Sequence, residues 1–405
     1  MAWWRIEWTS SFARILSILL LSGLTGCAVA VSATHGNSPD QPLDTIPANA
    51  WSEENLLASP EQIGRMKIPV KVKGIYVTGR SAGNGNFQRL LNLVDHSELN
   101  AMVIDVKEDA GRITYNSEVP LAKKIGADKT RFIPDIDQLI STLHEHHIYP
   151  IARIVCFKDP LLAKERADWA IQRKEGGLYQ DRKGVNWIDP YRTEVWEYNI
   201  ALAKEAARKG FKEIQFDYVR FPAGGKQIDR EVKYYQQDSA TKQQVIANFL
   251  RYARKELAPY QVSISADVFG LVPSVSDDMG IGQKWELISP EVDTICPMMY
   301  PSHYASGTYG LSLPDAKPYE NILHGLADAQ QKNQVLTADG RKPAVIRPWY
   351  QDFTATWVKG HIPYGASQVQ AQIKAGRDRG VDQYLIWDAK NTYSIAAWEQ
   401  SGQRK

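Results

Sequence analysis

Two aspartates stand at the ends of two apolar runs. In EIQFDYVRFP (213–222) a period of two places Gln215, Asp217 and Val219 on one face and Ile214, Phe216 and Tyr218 on the other. In QVSISADVFG (261–270) Ser263, Ser265 and Asp267 share a face, two small residues leaving room below a carboxylate. A polar side chain buried in an apolar strand costs free energy unless it has a task. Neighbouring parallel strands lie about 4.8 Å apart, which puts two such carboxyls within the range of about 5 to 9 Å used in glycoside hydrolysis. That chemistry needs one ionised carboxylate, to attack the sugar or activate water, and one protonated carboxyl to feed the leaving oxygen. Two structural readings compete: an ion pair of Asp217 with Arg220 or Arg153, and Asp267 capping the loop that follows it.

Other candidates cluster at comparable positions. In NAMVIDVKED (100–109) the alternation directs Val103, Asp105 and Lys107 inward, so an Asp105–Lys107 pair would tune the site, while Glu108 and Asp109 begin a loop and Glu108 is an alternative proton donor. Tyr300, His303 and Tyr304, then Arg347, Trp349 and Gln351, then Trp387 and Asp388 read as walls and hydrogen-bond donors for a sugar, or as packing at a rim. The chain has 12 Trp and 19 Tyr, which serve equally as platforms for pyranose faces or as core. Cys156 and Cys296 fall in separate strands and read as buried thiols rather than a disulfide or a nucleophile. His144, His146 and His147 end a helix, where they complement its dipole, and no metal or cofactor is expected. GRSAGNGNF (79–87) lacks the spacing of a phosphate loop and reads as a flexible loop over the site.

The elements that position these residues repeat. Eight apolar segments, at 72–79, 100–109, 149–157, 213–222, 261–270, 292–301, 344–353 and 382–391, are spaced widely enough to leave a helix between neighbours. Right-handed βαβ units repeated eight times close a parallel (β/α)₈ TIM barrel, whose function sits at the C-terminal strand ends. The barrel is expected over residues 70–398. Composition is that of a globular enzyme, 43% hydrophobic and 23% charged, and a formal charge of +2 without a basic stripe argues against nucleic acid as a partner. Before the barrel, Arg5 and Arg14 precede the apolar run ILSILLLSGLTG (15–26), too short to span a bilayer, as in a secretory signal over residues 1–26. Leu24-Thr25-Gly26-Cys27 resembles the bacterial lipobox, which implies cleavage before Cys27 and its lipidation. Residues 27–69 read as a tether. An exported, membrane-anchored lipoprotein of the envelope is expected, with a soluble secreted form as the alternative.

The stretches KGIYVTG, DVKED, FDYVRFP, SADVFG, PMMYPSHY and RPWYQDF together resemble a bacterial family of glycoside hydrolase domains, over about residues 70 to 395. The chain is similar, more distantly, to sugar-cleaving barrels that carry a catalytic aspartate in a fourth strand of the FDYVRFP kind. The resemblance implies a TIM barrel and a polysaccharide or oligosaccharide substrate. Retaining enzymes with glutamates on strands four and seven are not matched, since Asp217 and Gln351 stand there. Two rivals remain: a non-catalytic carbohydrate-binding barrel and an envelope assembly protein on a barrel scaffold.

Overall fold

The computed structural model describes residues 71–399. The expected signal, the tether and Cys27 therefore lie outside the described residues. Each of the eight apolar segments forms a strand: β1 Lys73–Val77, β2 Ala101–Lys107, β3 Tyr149–Val155, β4 Glu213–Asp217, β5 Ser263–Phe269, β6 Thr294–Met298, β7 in two pieces (Val345–Ile346 and Trp349–Gln351), and β8 Tyr384–Trp387. All pair in parallel with their sequence neighbours, and β8 returns to β1 through Lys73↔Tyr384, Gly74↔Leu385 and Ile75↔Ile386. The ring closes between β6 and β7 by Thr294↔Val345, Ile295↔Ile346 and Met298↔Trp349. The break in β7 falls at Arg347-Pro348, where the proline has no N–H to give to a ladder. The chain is thus a closed (β/α)₈ barrel.

Helices fill the crossovers: α1 Asn86–Asp95, α2 Ile136–Glu145, α3 Thr193–Lys209, α4 Lys242–Leu257, α5 Trp285–Ile288, α6 Pro318–Ala338, α7 Ala366–Asp378 and α8 Ala396–Glu399. On α1 the buried residues Leu90, Leu91, Leu93 and Val94 form the apolar stripe that packs on the barrel. Thr241 and Gln244 make a reciprocal capping box at the start of α4. Gly210, at φ +109°, ends α3 in the left-handed conformation that favours glycine. The fifth crossover is the exception to the expected pattern, because VPSVSDDMGIGQ is rich in residues that break helices and leaves only the single turn α5. Within the barrel, Tyr76, Val103, Ile151, Cys296, Trp349 and Leu385 belong to one buried cluster.

At the C-terminal face the loop after β3 reaches out as a hairpin, in which Gln180 bridges to Asn186, and Gln172–Arg173 pairs antiparallel with Val232–Lys233 from the loop after β4. The segment 79–87 is not a flexible loop. Thr78 caps a helical turn, Gly79–Ala82, which leads almost directly into α1.

Candidate active site

One guanidinium organises the centre of the mouth. Arg153, 2% exposed on β3, donates from Nε (2.9 Å) and Nη2 (2.5 Å) to Asp217 Oδ2, from Nη1 to Asp105 Oδ1 (2.7 Å) and from Nη2 to Asp109 Oδ1 (3.0 Å). Asp217 Oδ1 accepts the Tyr218 N–H at 2.6 Å. Lys158 Nζ donates to the second oxygen of Asp109 at 3.0 Å, and Tyr76 donates to Asp105 Oδ2 at 2.6 Å. The plane of Arg153 is covered by aromatic faces, with Tyr76 at 5.5 Å and Trp387 at 5.4 Å, and these two rings stack on each other at 3.9 Å. The alternative weighed for Asp217, an ion pair with Arg153, therefore exists, and it lies in the mouth.

Asp267 has a different environment. It is 2% exposed, its Oδ1 accepts the Trp349 indole N–H at 2.7 Å, and no cation touches it among the described residues. Burial, then the negative charge of Asp217, pushes its carboxyl well above the usual aspartate range, against the pull of the Trp349 hydrogen bond. It does not cap its loop; that is done by Gln283, whose Nε2 donates to the Asp267 backbone carbonyl and whose Oε1 accepts the Phe269 N–H. The register pairs Gln215 with Ser265, so Asp217 and Asp267 each lie two residues further on along neighbouring strands. The same burial raises Asp105 to about 6 despite Arg153, whereas Arg153 and Lys158 together outweigh burial at Asp109 and lower it to about 2.

The backbone is strained where this geometry is set. Tyr218, immediately after Asp217, has φ +47°, a region that bulky residues rarely adopt. The strand ends at Asp217, so the regular alternation expected of it stops there. Tyr218 instead enters the mouth, where Lys158 Nζ lies 4.6 Å from its ring.

The remaining candidates divide. Tyr300, 6% exposed, and Trp387 are brought to the same place, with Tyr300 flanked by Trp387 at 6.5 Å, Phe353 at 5.8 Å and His303 at 5.2 Å. Trp349 packs edge-on to Trp387 at 5.5 Å. Gln215 lies fully buried beneath, its amide against Cys296 Sγ at 3.5 Å. Tyr304 leans on Tyr309, and a Cβ at Gly270 would stand 2.5 Å from its hydroxyl, so it braces the loop after β6.

Five placements need correction. Lys107 does not share a face with Asp105: a register shift between them turns it outward, where it is fully buried against Asp159 (2.7 Å) and Asn199 of α3 (2.9 Å). Arg347 is not at the rim but deep in the barrel, ion-paired with Glu213, the first residue of β4. Gln351 is fully buried and ties loops together, accepting from Ser302 N–H and donating to the Phe353 carbonyl. Asp388 is turned into its own loop, accepting the N–H groups of Lys390 and Thr392. Glu108 is held by Arg112 at 2.8 Å, and its neighbour Asp109 enters the charge cluster instead.

Sequence reasoning left out Tyr76 and Lys158, placed Asp109 only at the start of a loop, and gave Arg153 only a structural part. The readable signal was Arg153 itself, a lone cation within the apolar run YPIARIVCF.

No curated protein matches the chain. Among solved structures, the glycoside hydrolase domain of PgaB (BpsB) from Bordetella bronchiseptica is similar at 12% identity, covering 81% of this chain and 98% of that one with a TM-score of 0.57. Alpha-L-fucosidase isoenzyme 2 from Paenibacillus thiaminolyticus is similar at 14% identity, covering 81% of this chain and 48% of that one with a TM-score of 0.51. At these identities the likeness is one of fold. A hypothetical protein from Ruminiclostridium thermocellum is 36% identical, covering 51% of this chain and 98% of that one, with a TM-score of 0.44. A family model described as "Putative glycosyl hydrolase domain" matches residues 74–393, nearly the whole barrel, and the chain belongs to that family.

Proposed function

We propose that this protein cleaves glycosidic bonds in an envelope or extracellular polysaccharide, with Asp217 and Asp267 as the working carboxylates. The observation that carries this reading is the unequal environment of two carboxyls on neighbouring strands: Asp217 is ion-paired to Arg153, while Asp267 is buried without a cation and pushed toward its protonated form. Asp267 then delivers its proton to the leaving oxygen, and Asp217 meets the positive charge that develops at the anomeric carbon, as nucleophile, as base for water or as electrostatic stabiliser. The stacked Tyr76 and Trp387 and the nearby Tyr300 supply faces on which a pyranose ring can lie. Family membership and the barrel shared with the PgaB glycoside hydrolase domain support the same reaction class. Export through residues 1–26 and lipidation of Cys27 would hold the barrel beside the envelope glycans it acts on.

The test is incubation of purified protein with a panel of envelope polysaccharides, with products read by mass spectrometry. New reducing ends from at least one polymer, with water added across the bond, are expected. Binding of a glycan with no product from any of them would favour the carbohydrate-binding barrel instead.

A further inference from the structure

Six cationic side chains are buried among the described residues, and five of them touch a carboxylate: Arg153, Lys107, Lys158, Arg254 and Arg347. Arg220 does not. It stands 3% exposed in the loop after β4, three residues beyond Asp217, and its one hydrogen bond among the described residues is from Nη1 to the Phe221 carbonyl at 2.9 Å. Three rings surround the guanidinium: Phe269 at 4.6 Å from the end of β5, Trp187 at 4.9 Å from the hairpin after β3, and Tyr218 at 5.0 Å. All three come from the C-terminal face of the barrel, so the cation belongs to the mouth.

A guanidinium has five N–H donors in one plane, and aromatic faces cover the plane without accepting from its edge. Arg220 therefore keeps most of its edge unpaired, in a setting where burial holds its affinity for a proton below the usual guanidinium range. Burying a cation without a counterion costs several kcal/mol, and that cost is offset when an anion arrives. A planar fork of parallel N–H groups matches a carboxylate or another oxyanion in bidentate fashion. The acidic groups whose charge reaches it already have partners: Arg153 holds Asp217, Arg153 and Lys158 hold Asp109, and Asp181 accepts the Trp187 indole N–H and the backbone N–H groups of Lys183 and Val185.

Resting on the glycosidase reading, we propose that Arg220 is a specificity residue that binds an oxyanion substituent of the glycan, carried on a sugar unit beside the scissile bond. The preferred polymers are then acidic, either uronic-acid chains or chains bearing sulfate or phosphate esters.

The test measures binding of two matched pairs by titration calorimetry: polygalacturonate with its carboxyl-reduced form, and dextran sulfate with dextran. The charged member of one pair should bind at least about tenfold more tightly than its neutral partner, as a charge-assisted hydrogen-bonded pair warrants. The pair that responds identifies carboxylate or ester. Arg220→Gln should erase the preference, Arg220→Lys should keep part of it, and Lys255→Gln, an equal charge loss at an exposed position on α4, should keep all of it. Thermal unfolding of each variant shows whether it is folded. Equal binding of charged and neutral partners, no binding of either charged polymer, or a preference that survives in folded Arg220→Gln overturns the inference. Hydrolysis of a neutral glycan with no such preference would leave the glycosidase standing, whereas Arg220-dependent binding with no hydrolysis of any polymer would remove the glycosidase and keep the site.

Discussion

Asp267→Asn separates chemistry from stability at the level of one residue. The amide keeps an oxygen for the Trp349 indole and removes a carboxyl that burial already disfavours in its charged form. Turnover should fall by about 100-fold or more, as for loss of a general acid, while the melting temperature at pH 7 to 8 stays level or rises; a large fall in stability would assign Asp267 a structural task. Asp105 tests the electrostatics with its sign. Its folded value, about 6, lies above the ordinary aspartate value of 3.8, so the folded state binds more protons than the unfolded state between those limits and loses stability as pH rises through them. Asp105→Asn lacks that loss. Its stability relative to the parent should increase by up to about 3 kcal/mol from pH 4 to pH 7 in denaturant titrations, and a constant difference across that range would show that Asp105 is not desolvated as described. Asp109, lowered to about 2, acts oppositely and contributes stability that is lost as pH falls from about 4 toward 2. At this scale the placement of both aspartates on neighbouring strands was legible in the sequence, because each stands near the end of an apolar run. Arg153 as the hub was not, since which carboxylates share one guanidinium depends on three strands at once.

At the level of elements, strand periodicity located all eight strands and failed where a strand departs from regular pairing. Lys107 follows a register shift, and one displaced residue transfers every later side chain to the opposite face. Its new surroundings make a prediction. Lys107→Met leaves Asp159 buried without its ion partner, which should cost about 3 to 5 kcal/mol, and adding Asp159→Asn should recover much of it. Thermal unfolding of the single and double variants checks this, and the specific activity of folded Lys107→Met should remain near that of the parent. A Lys107 variant that is stable but inactive would return this residue to the site. Arg347 was misplaced for a different reason. Its ion pair with Glu213 shows it deep in the barrel, and depth within a barrel depends on how neighbouring strands are staggered, which no single strand reveals. The strain at Tyr218 was equally hidden, since FDYVRFP reads as one continuous strand until the backbone turns at φ +47°.

For the whole molecule, the count of apolar segments was enough to give the closed barrel, because eight βαβ repeats allow few other arrangements. We propose that delivery of that barrel rests on residues before it. If the lipobox-like stretch ending at Cys27 acts as proposed, Cys27→Ser should move the protein from the membrane fraction into the soluble exported pool, and unchanged fractionation would contradict it. The account as a whole depends on Asp217. Removing its charge still leaves Arg153 with Asp105 and Asp109, so Asp217→Asn should cost no more than about 3 kcal/mol of stability and stay folded. The most direct measurement is therefore the turnover of a cleaved polysaccharide by the parent and by folded Asp217→Asn. The account predicts a loss of about 1,000-fold or more with glycan binding retained, as for an interaction made mainly in the transition state; undiminished turnover would show that the carboxylate only holds Arg153 and that the reaction takes place elsewhere.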